Sequence, residues 1–261
     1  MAKTYDCCLF YNEVDMLELR MNILDPVVDY FVVCEAAETH SGQPKPYNFA
    51  DHQDRFDRWL HKIIYVQVDD LTGPGRNSWE RERYHRARIA DGLTEARPSD
   101  WVIVGDCDEI AAPQVVADLR LRGTHVSSVK FELAMYYYNF NHPVQQGWAI
   151  GASRWWEERD PNLIRTCAYG PAVTYEDAGW HFSWFNGTQA ILDKQAAFMH
   201  AHDPIIRDMP RDPAWIAAKV EAGQDLFNRP NFVIDHAPLS PRLPQYVLDH
   251  VEIYRAMGWA E

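Results

Sequence analysis

Four short apolar runs, separated by helix-like and loop-like stretches, fill the first half of the chain and leave few architectures open. Cys7–Tyr11 reads as the first strand. Val14, Leu17, Met21 and Leu24 then recur at helical spacing, in a helix that Asn12 or Asp15 can cap and that stops before Pro26. Tyr30–Cys34 is continuously apolar, the pattern of a strand covered on both faces. Thr39–Pro46 holds Gly42, Pro44 and Pro46 and reads as loop. Arg55–Lys62 reads as helix, Ile63–Val68 as the third strand, and Asp69–Ser78, with its Gly-Pro-Gly, as loop. Trp79–Ala96 reads as a long charged helix. Trp101–Val104 is the fourth strand and runs into Gly105-Asp106-Cys107-Asp108-Glu109. Strands alternating with helices predict an α/β fold, a mostly parallel sheet flanked by helices, with ligands bound at the carboxyl ends of the strands.

The second half is less regular and rich in aromatics, from Tyr136-Tyr137-Tyr138 through Trp155-Trp156 to Trp180 and Trp184. Its last part reads as helical over Pro213–Phe227 and Pro244–Met257. No internal repeat or linker-like stretch divides the 261 residues, so a single domain is expected. An apolar fraction of 47% excludes a disordered chain or a low-complexity fibre. With 38 acidic and 25 basic side chains the net charge is −13, which argues against nucleic acid and against an anionic membrane as partners. The N-terminus carries no signal-peptide pattern, and no run is long enough to span a bilayer. The five cysteines (Cys7, Cys8, Cys34, Cys107, Cys167) include no Cys-x-x-Cys pair and read as reduced thiols of a cytoplasmic protein. Cys7 and Cys8 should face opposite sides of one strand. Asn186-Gly187-Thr188 reads as a turn.

Asp106-Cys107-Asp108 is the strongest chemical signal. Residues i and i+2 at a strand end face the same way, so two carboxylates would converge on one point and repel unless a cation lies between them. Oxygen ligands suit Mg²⁺ or Mn²⁺. The plainer alternative is a strand-to-helix turn in which one Asp caps a helix starting near Pro113. His181, in Gly179-Trp180-His181-Phe182-Ser183-Trp184, is either a core histidine or an added ligand that favours Mn²⁺. Glu176 and Asp177 are candidate general bases or members of a solvated turn. Arg81, Arg83, Arg86 and Arg88 alternate with Glu80 and Glu82 as a salt-bridged face from which one arginine can reach a diphosphate. The aromatics are core, with some available to stack on sugar rings.

Several blocks, in order, resemble glycosyltransferase family 17. They are Tyr5-Asp6-Cys7 with Leu9-Phe10 and Asn12-Glu13, Val28–Val33 with Glu35, Ser41–Pro46, and Lys62–Val66 with Asp69-Asp70-Leu71. Gly105-Asp106-Cys107-Asp108-Glu109-Ile110 and Gly179–Trp184, followed by Lys194 and His200, complete the set. The resemblance implies a GT-A fold with a nucleotide-sugar-binding half over 1–112 and an acceptor-side half over 113–261. It implies inverting transfer of a sugar, N-acetylglucosamine, from a UDP-sugar to a glycan hydroxyl. Asp106 and Asp108 match the metal- and diphosphate-binding pair, His181 completes the Mn²⁺ (or Mg²⁺) site, Glu35 lies near the nucleoside, and Arg86 reaches the phosphates. Asp177 is the expected base, with Glu176 and Glu132 as rivals. The chain begins almost at the first strand, without the membrane anchor and stem of the family's eukaryotic members. That points to a bacterial or viral glycan as acceptor. Two other classes fit parts of the pattern. One is a non-catalytic glycan-binding protein. The other is a metal-dependent nucleotidyltransferase, against which the acidic, glycine-free Tyr11–Asp15 counts.

Overall fold

The computed structural model describes residues 2–73, 76–122, 126–155, 159–197 and 209–261. Strands β1 (Thr4–Phe10), β2 (Tyr30–Ala36), β3 (Ile63–Val68) and β4 (Trp101–Asp106) lie side by side in the order β3-β2-β1-β4, all parallel. Every residue of β1 is buried, so its two faces feed two different cores. Cys8 and Phe10 pack with Leu17, Met21 and Leu24 of helix α1 (Val14–Leu24), while Cys7 and Leu9 pack with Ile89 and Leu93 on the other side. Adjacent cysteines therefore face opposite layers, as strand alternation requires. All five cysteines are free.

The charged segment expected as one helix breaks in two. Helix α3 (Ser78–Ala87) starts at Asn77, whose side chain accepts from the Glu80 N–H while Glu80 caps the Asn77 N–H in return. It then tightens into a 3₁₀ turn over Arg88–Leu93. Gly92 sits there against the sheet, where a Cβ would lie 2.6 Å from Val32 and 2.9 Å from Val66, too close for any other residue. Arg55–Lys62 also departs from an α-helix; a 3₁₀ helix covers Gln53–Trp59, and the short α2 (Asn48–Asp51) precedes it.

The second half adds β5 (Glu109–Ala111), β6 (Ser128–Tyr137), β7 (Pro143–Arg154), β8 (Val173–Tyr175) and β9 (Gly179–Ser183) to the same sheet. The order continues β4-β7-β6-β9-β5, with β8 on β6. β7 runs antiparallel to β4 and β6, and β5 antiparallel to β9, so the sheet is mixed and only its first half is wholly parallel. Helix α4 (Pro113–Leu119) opens with Pro at its first turn and Ala112 at its N-cap, with no side-chain cap. Neither Asp106 nor Asp108 caps it. Helices α5 (Pro161–Arg165) and α6 (Gly187–Ala197) flank the second half. Asn186 and Gly187 make the expected turn, with φ of 74° and 75°. Toward the C-terminus the helices are Pro213–Glu221, Gln245–Asp249 and Val251–Ala256, shorter than the sequence pattern suggests. Among the described residues no helix is long and apolar enough to cross a membrane.

Gly151 of β7 marks a close approach to α5. A Cβ there would lie 1.8 Å from the Ile164 carbonyl oxygen of α5. Gly151→Ala is expected to cost about 3 kcal/mol or more, because backbone must move to admit it. A denaturation midpoint unchanged from wild type would show that α5 does not pack on β7 in this way.

Candidate active site

The carboxyl ends of β1 and β4 open into a cavity of about 300 Å³. Its walls come from Leu9–Tyr11, Glu38–His40, helix α3, the Asp106–Glu109 turn, β9 and α6. The turn is held from behind by Arg20 of α1. This arginine is fully buried, pairs with the Asp6 carboxylate at 2.6 Å, and donates to the carbonyls of Asp106, Cys107 and Glu109 at 2.9, 3.3 and 2.7 Å. Three carbonyls meeting one guanidinium fix the path of the chain that presents both aspartates.

The two aspartates line the same cavity but do not converge on one point, because the chain turns between them. Asp106 faces the helices, 3.0 Å from Arg86 of α3 and 3.8 Å from Arg165 of α5. Partial burial favours its neutral form, but Arg86 and then Arg165 outweigh that and hold its carboxyl down at about 2. Asp108 faces β9 and α6. Its Oδ2 accepts from Lys194 at 2.9 Å, and its Oδ1 lies 3.6 Å from His181 Nε2. Burial raises this carboxyl as well, and Lys194 and His181 more than reverse it. Glu109 is locked into structure: Oε2 accepts the Asp106 N–H at 2.7 Å, and Oε1 accepts from Arg165 and from Trp148 Nε1.

Part of this donor set suits a divalent ion. Oδ1 of Asp108 and Nε2 of His181 are spaced as two donors on one ion can be, with the remaining positions open to phosphate oxygens. Around them the cavity wall carries the carboxylates of Glu13, Glu38, Glu82, Asp106 and Glu109 and the cations of Lys45, Arg86, Lys194 and Arg229. The pair Asp108–His181 fits such an ion; Asp106 is engaged by its two arginines instead.

Other expected site residues lie elsewhere. Glu35 is buried behind the cavity wall, its carboxylate filled by Lys45 at 2.5 Å, the N–H groups of Asn48 and Phe49, and the Tyr65 hydroxyl. It positions Lys45, which lines the cavity, and does not line it itself. Glu176 and Asp177 are exposed at the far end of β9, Asp177 beside Arg242 at 3.3 Å. Glu132 points out from β6 to Lys130 at 2.7 Å. None of these three carboxylates lines the cavity. His200 falls outside the described residues.

Glu13 does line it. Its Oε2 accepts the N–H groups of Tyr11 and Asn12 at 3.1 Å each, and no donor among the described residues pairs with Oε1. Burial pushes its carboxyl up. Only the Asn12-Glu13 block of the family pattern signalled it; nothing local in the sequence signalled Arg165. At the opposite end His40 Nε2 and His85 Nδ1 lie 3.2 Å apart. Burial, then Arg86, hold His40 down at about 4, and burial holds His85 lower still, so the pair is neutral near pH 7. His85 Nε2 is buried without a partner among the described residues. Trp184, at the end of β9, carries φ of 62°, a strained conformation for so bulky a residue.

The sequence profile described as glycosyltransferase family 17 matches residues 1–231. The chain is 27% identical over 249 residues to the β-1,4-mannosyl-glycoprotein 4-β-N-acetylglucosaminyltransferase of Rattus norvegicus, covering 81% of this chain and 46% of that protein. The Homo sapiens protein of the same name matches with the same identity and coverage. The chain thus spans about half the length of the curated relatives it matches. Among solved structures, S. aureus TarS 1–349 is 12% identical with a TM-score of 0.39, over 78% of this chain and 69% of that one. With a profile match over most of its length, the chain belongs to glycosyltransferase family 17.

Proposed function

We propose that this chain transfers N-acetylglucosamine from UDP-N-acetylglucosamine to a hydroxyl of a glycan, with inversion at the anomeric carbon. The observation that carries the reading is the cavity itself, where a family 17 chain gathers Arg86, Asp106, Asp108, His181 and Lys194 at the strand ends. The sugar donor follows the printed name of the relatives. The neutral histidine pair and the unpartnered His85 Nε2 make one end of the cavity a polar, uncharged wall suited to a nucleoside. Arg86, beside that pair, and Lys194, beside Asp108, offer charge to a diphosphate. Asp108 and His181 are the residues that would hold Mn²⁺, or Mg²⁺. When bound, such an ion stabilises the negative charge of the departing nucleotide.

Glu13 takes the place of Asp177, Glu176 and Glu132 as the proposed base. It is a half-buried carboxylate that lines the cavity, and among the described residues no donor pairs with its Oε1. A base there accepts the proton of the attacking hydroxyl as the new bond forms. Glu13→Gln should lower transfer by roughly a hundredfold or more while UDP binding stays within a few-fold of wild type. Wild-type turnover in Glu13→Gln would remove it from this role. The reaction itself is tested by incubating the enzyme with UDP-N-acetylglucosamine and a glycan mixture. UDP release and a β-linked product, read by NMR, are expected. An α-linked product would contradict inversion, and no release from any UDP-sugar would contradict the activity.

A further inference from the structure

A second cavity, of about 390 Å³, meets the first at Glu13, Asp108, Trp184 and Lys194, which line both. It lies on the far side of Trp184, between the Asn12–Asp15 loop, helix α6 and the C-terminal residues Met257 and Trp259. Its charge is lopsided. Lys194 is matched by Asp108 at 2.9 Å and Asp15 by Arg55 at 2.7 Å, which leaves Asp193 without an ion-pair partner among the described residues and Glu13 with only the longer-range charge of Lys194. Asp193 takes one hydrogen bond, from Gln189 to its Oδ1 at 2.8 Å. Asn186 accepts from Trp259 Nε1 at 2.9 Å, which turns its amide NH₂ toward other partners.

A ligand in this space meets carboxylate oxygens that only accept, the amides of Asn12 and Asn186 that donate, and aromatic walls from Trp184 and Phe185. Sugar hydroxyls donate to such oxygens, and the apolar face of a pyranose packs on such walls. A phosphate, sulfate or uronate brings no proton to donate and is repelled. From this geometry we propose that the second cavity is the acceptor subsite, and that Asp193 sets its preference for neutral, hydroxyl-rich sugars over anionic ones. The inference rests on the transferase reading above, and it places the acceptor hydroxyl beside Glu13, where the two cavities join.

The test uses the whole chain with UDP present, and four probes: methyl α-mannoside, methyl β-N-acetylglucosaminide and methyl β-galactoside as neutral sugars, and methyl β-glucuronide as the anionic one. Binding is read by saturation-transfer NMR, and UDP binding is read in parallel by calorimetry. At least one neutral probe is expected to bind tenfold or more tightly than the glucuronide. Asp193→Asn should shrink that ratio at least fivefold. Ala190→Trp, which fills the cavity from α6, should abolish probe binding; UDP binding should survive in both variants. Equal binding of neutral and anionic probes, no binding of any neutral probe, or neutral binding that persists in Ala190→Trp would overturn the assignment while leaving the transferase reading intact. Loss of UDP binding in the wild-type chain would instead strike the transferase reading, and this inference with it.

Discussion

Asp108→Asn should lower sugar transfer by roughly a thousandfold, about 4 kcal/mol of transition-state stabilisation. Among the described residues Asp108 is the one acidic side chain that touches both His181 and Lys194, so it organises the cationic side of the cavity. The substitution keeps the shape and the backbone bond from Phe182 N–H to the Asp108 carbonyl, 2.9 Å long. Thermal stability should therefore fall little, while metal-dependent UDP binding is lost. Asp106→Asn should behave differently. Its carboxylate is shared by Arg86 and Arg165, which keep Glu82 and Glu109 as partners when it is removed, so the substitution should weaken turnover more than binding. If Asp108→Asn bound UDP with Mn²⁺ as the wild type does, the assignment of Asp108 and His181 as the ion's ligands would fail.

The largest effect on stability is expected from Arg20→Leu, about 3–5 kcal/mol. The cost comes less from the lost ion pair than from what remains. Asp6 would stay buried with an uncompensated charge, and the carbonyls of Asp106, Cys107 and Glu109 would lose their donor. For a chain of this size that corresponds to a fall of roughly 10 °C in the melting temperature. Adding Asp6→Leu should recover much of the stability, because two apolar side chains can replace a buried pair. It should not recover transfer, since the Asp106–Glu109 turn still lacks its clamp. Recovery of both would mean that Arg20 serves the fold alone.

The parallel half of the sheet was legible because its strands are buried on both faces and read as unbroken apolar runs. Ile63–Val68 matches the sequence pattern residue for residue, and α1 keeps its apolar stripe from Val14 to Leu24, although its N-cap is Glu13 without a side-chain cap and neither Asn12 nor Asp15. β6 and β7 were hidden. β7 carries Pro143, Gln145, Gln146 and Gly147 where it is partly exposed, and so lacks a period. Its pairing with β6 is set by tertiary contact rather than by local pattern. The aspartates were legible in kind but not in geometry. Strand alternation would aim both at one point, but the chain leaves β4 at Asp106 and turns, which sends them to different partners. The candidate bases near His181 lie apart from the cavity for a related reason. Glu176 and Asp177 stand close to His181 in sequence, but β9 runs away from them and carries the histidine toward the cavity. Glu35 looked available at a strand end; its four hydrogen bonds show that a buried carboxylate there is an anchor.

The central claim is that the cavity at the ends of β1 and β4 binds a UDP-sugar with the help of a divalent ion. It is tested most directly by the melting temperature of the protein with UDP-N-acetylglucosamine, once with Mn²⁺ and once with chelator. A ligand held only by the native state stabilises it by about 2.7 kcal/mol at a hundredfold excess over its Kd. The account predicts a rise of several degrees with Mn²⁺, most of it lost with chelator and in Asp108→Asn. No rise with UDP-N-acetylglucosamine or any other uridine nucleotide, with or without Mn²⁺, would contradict it.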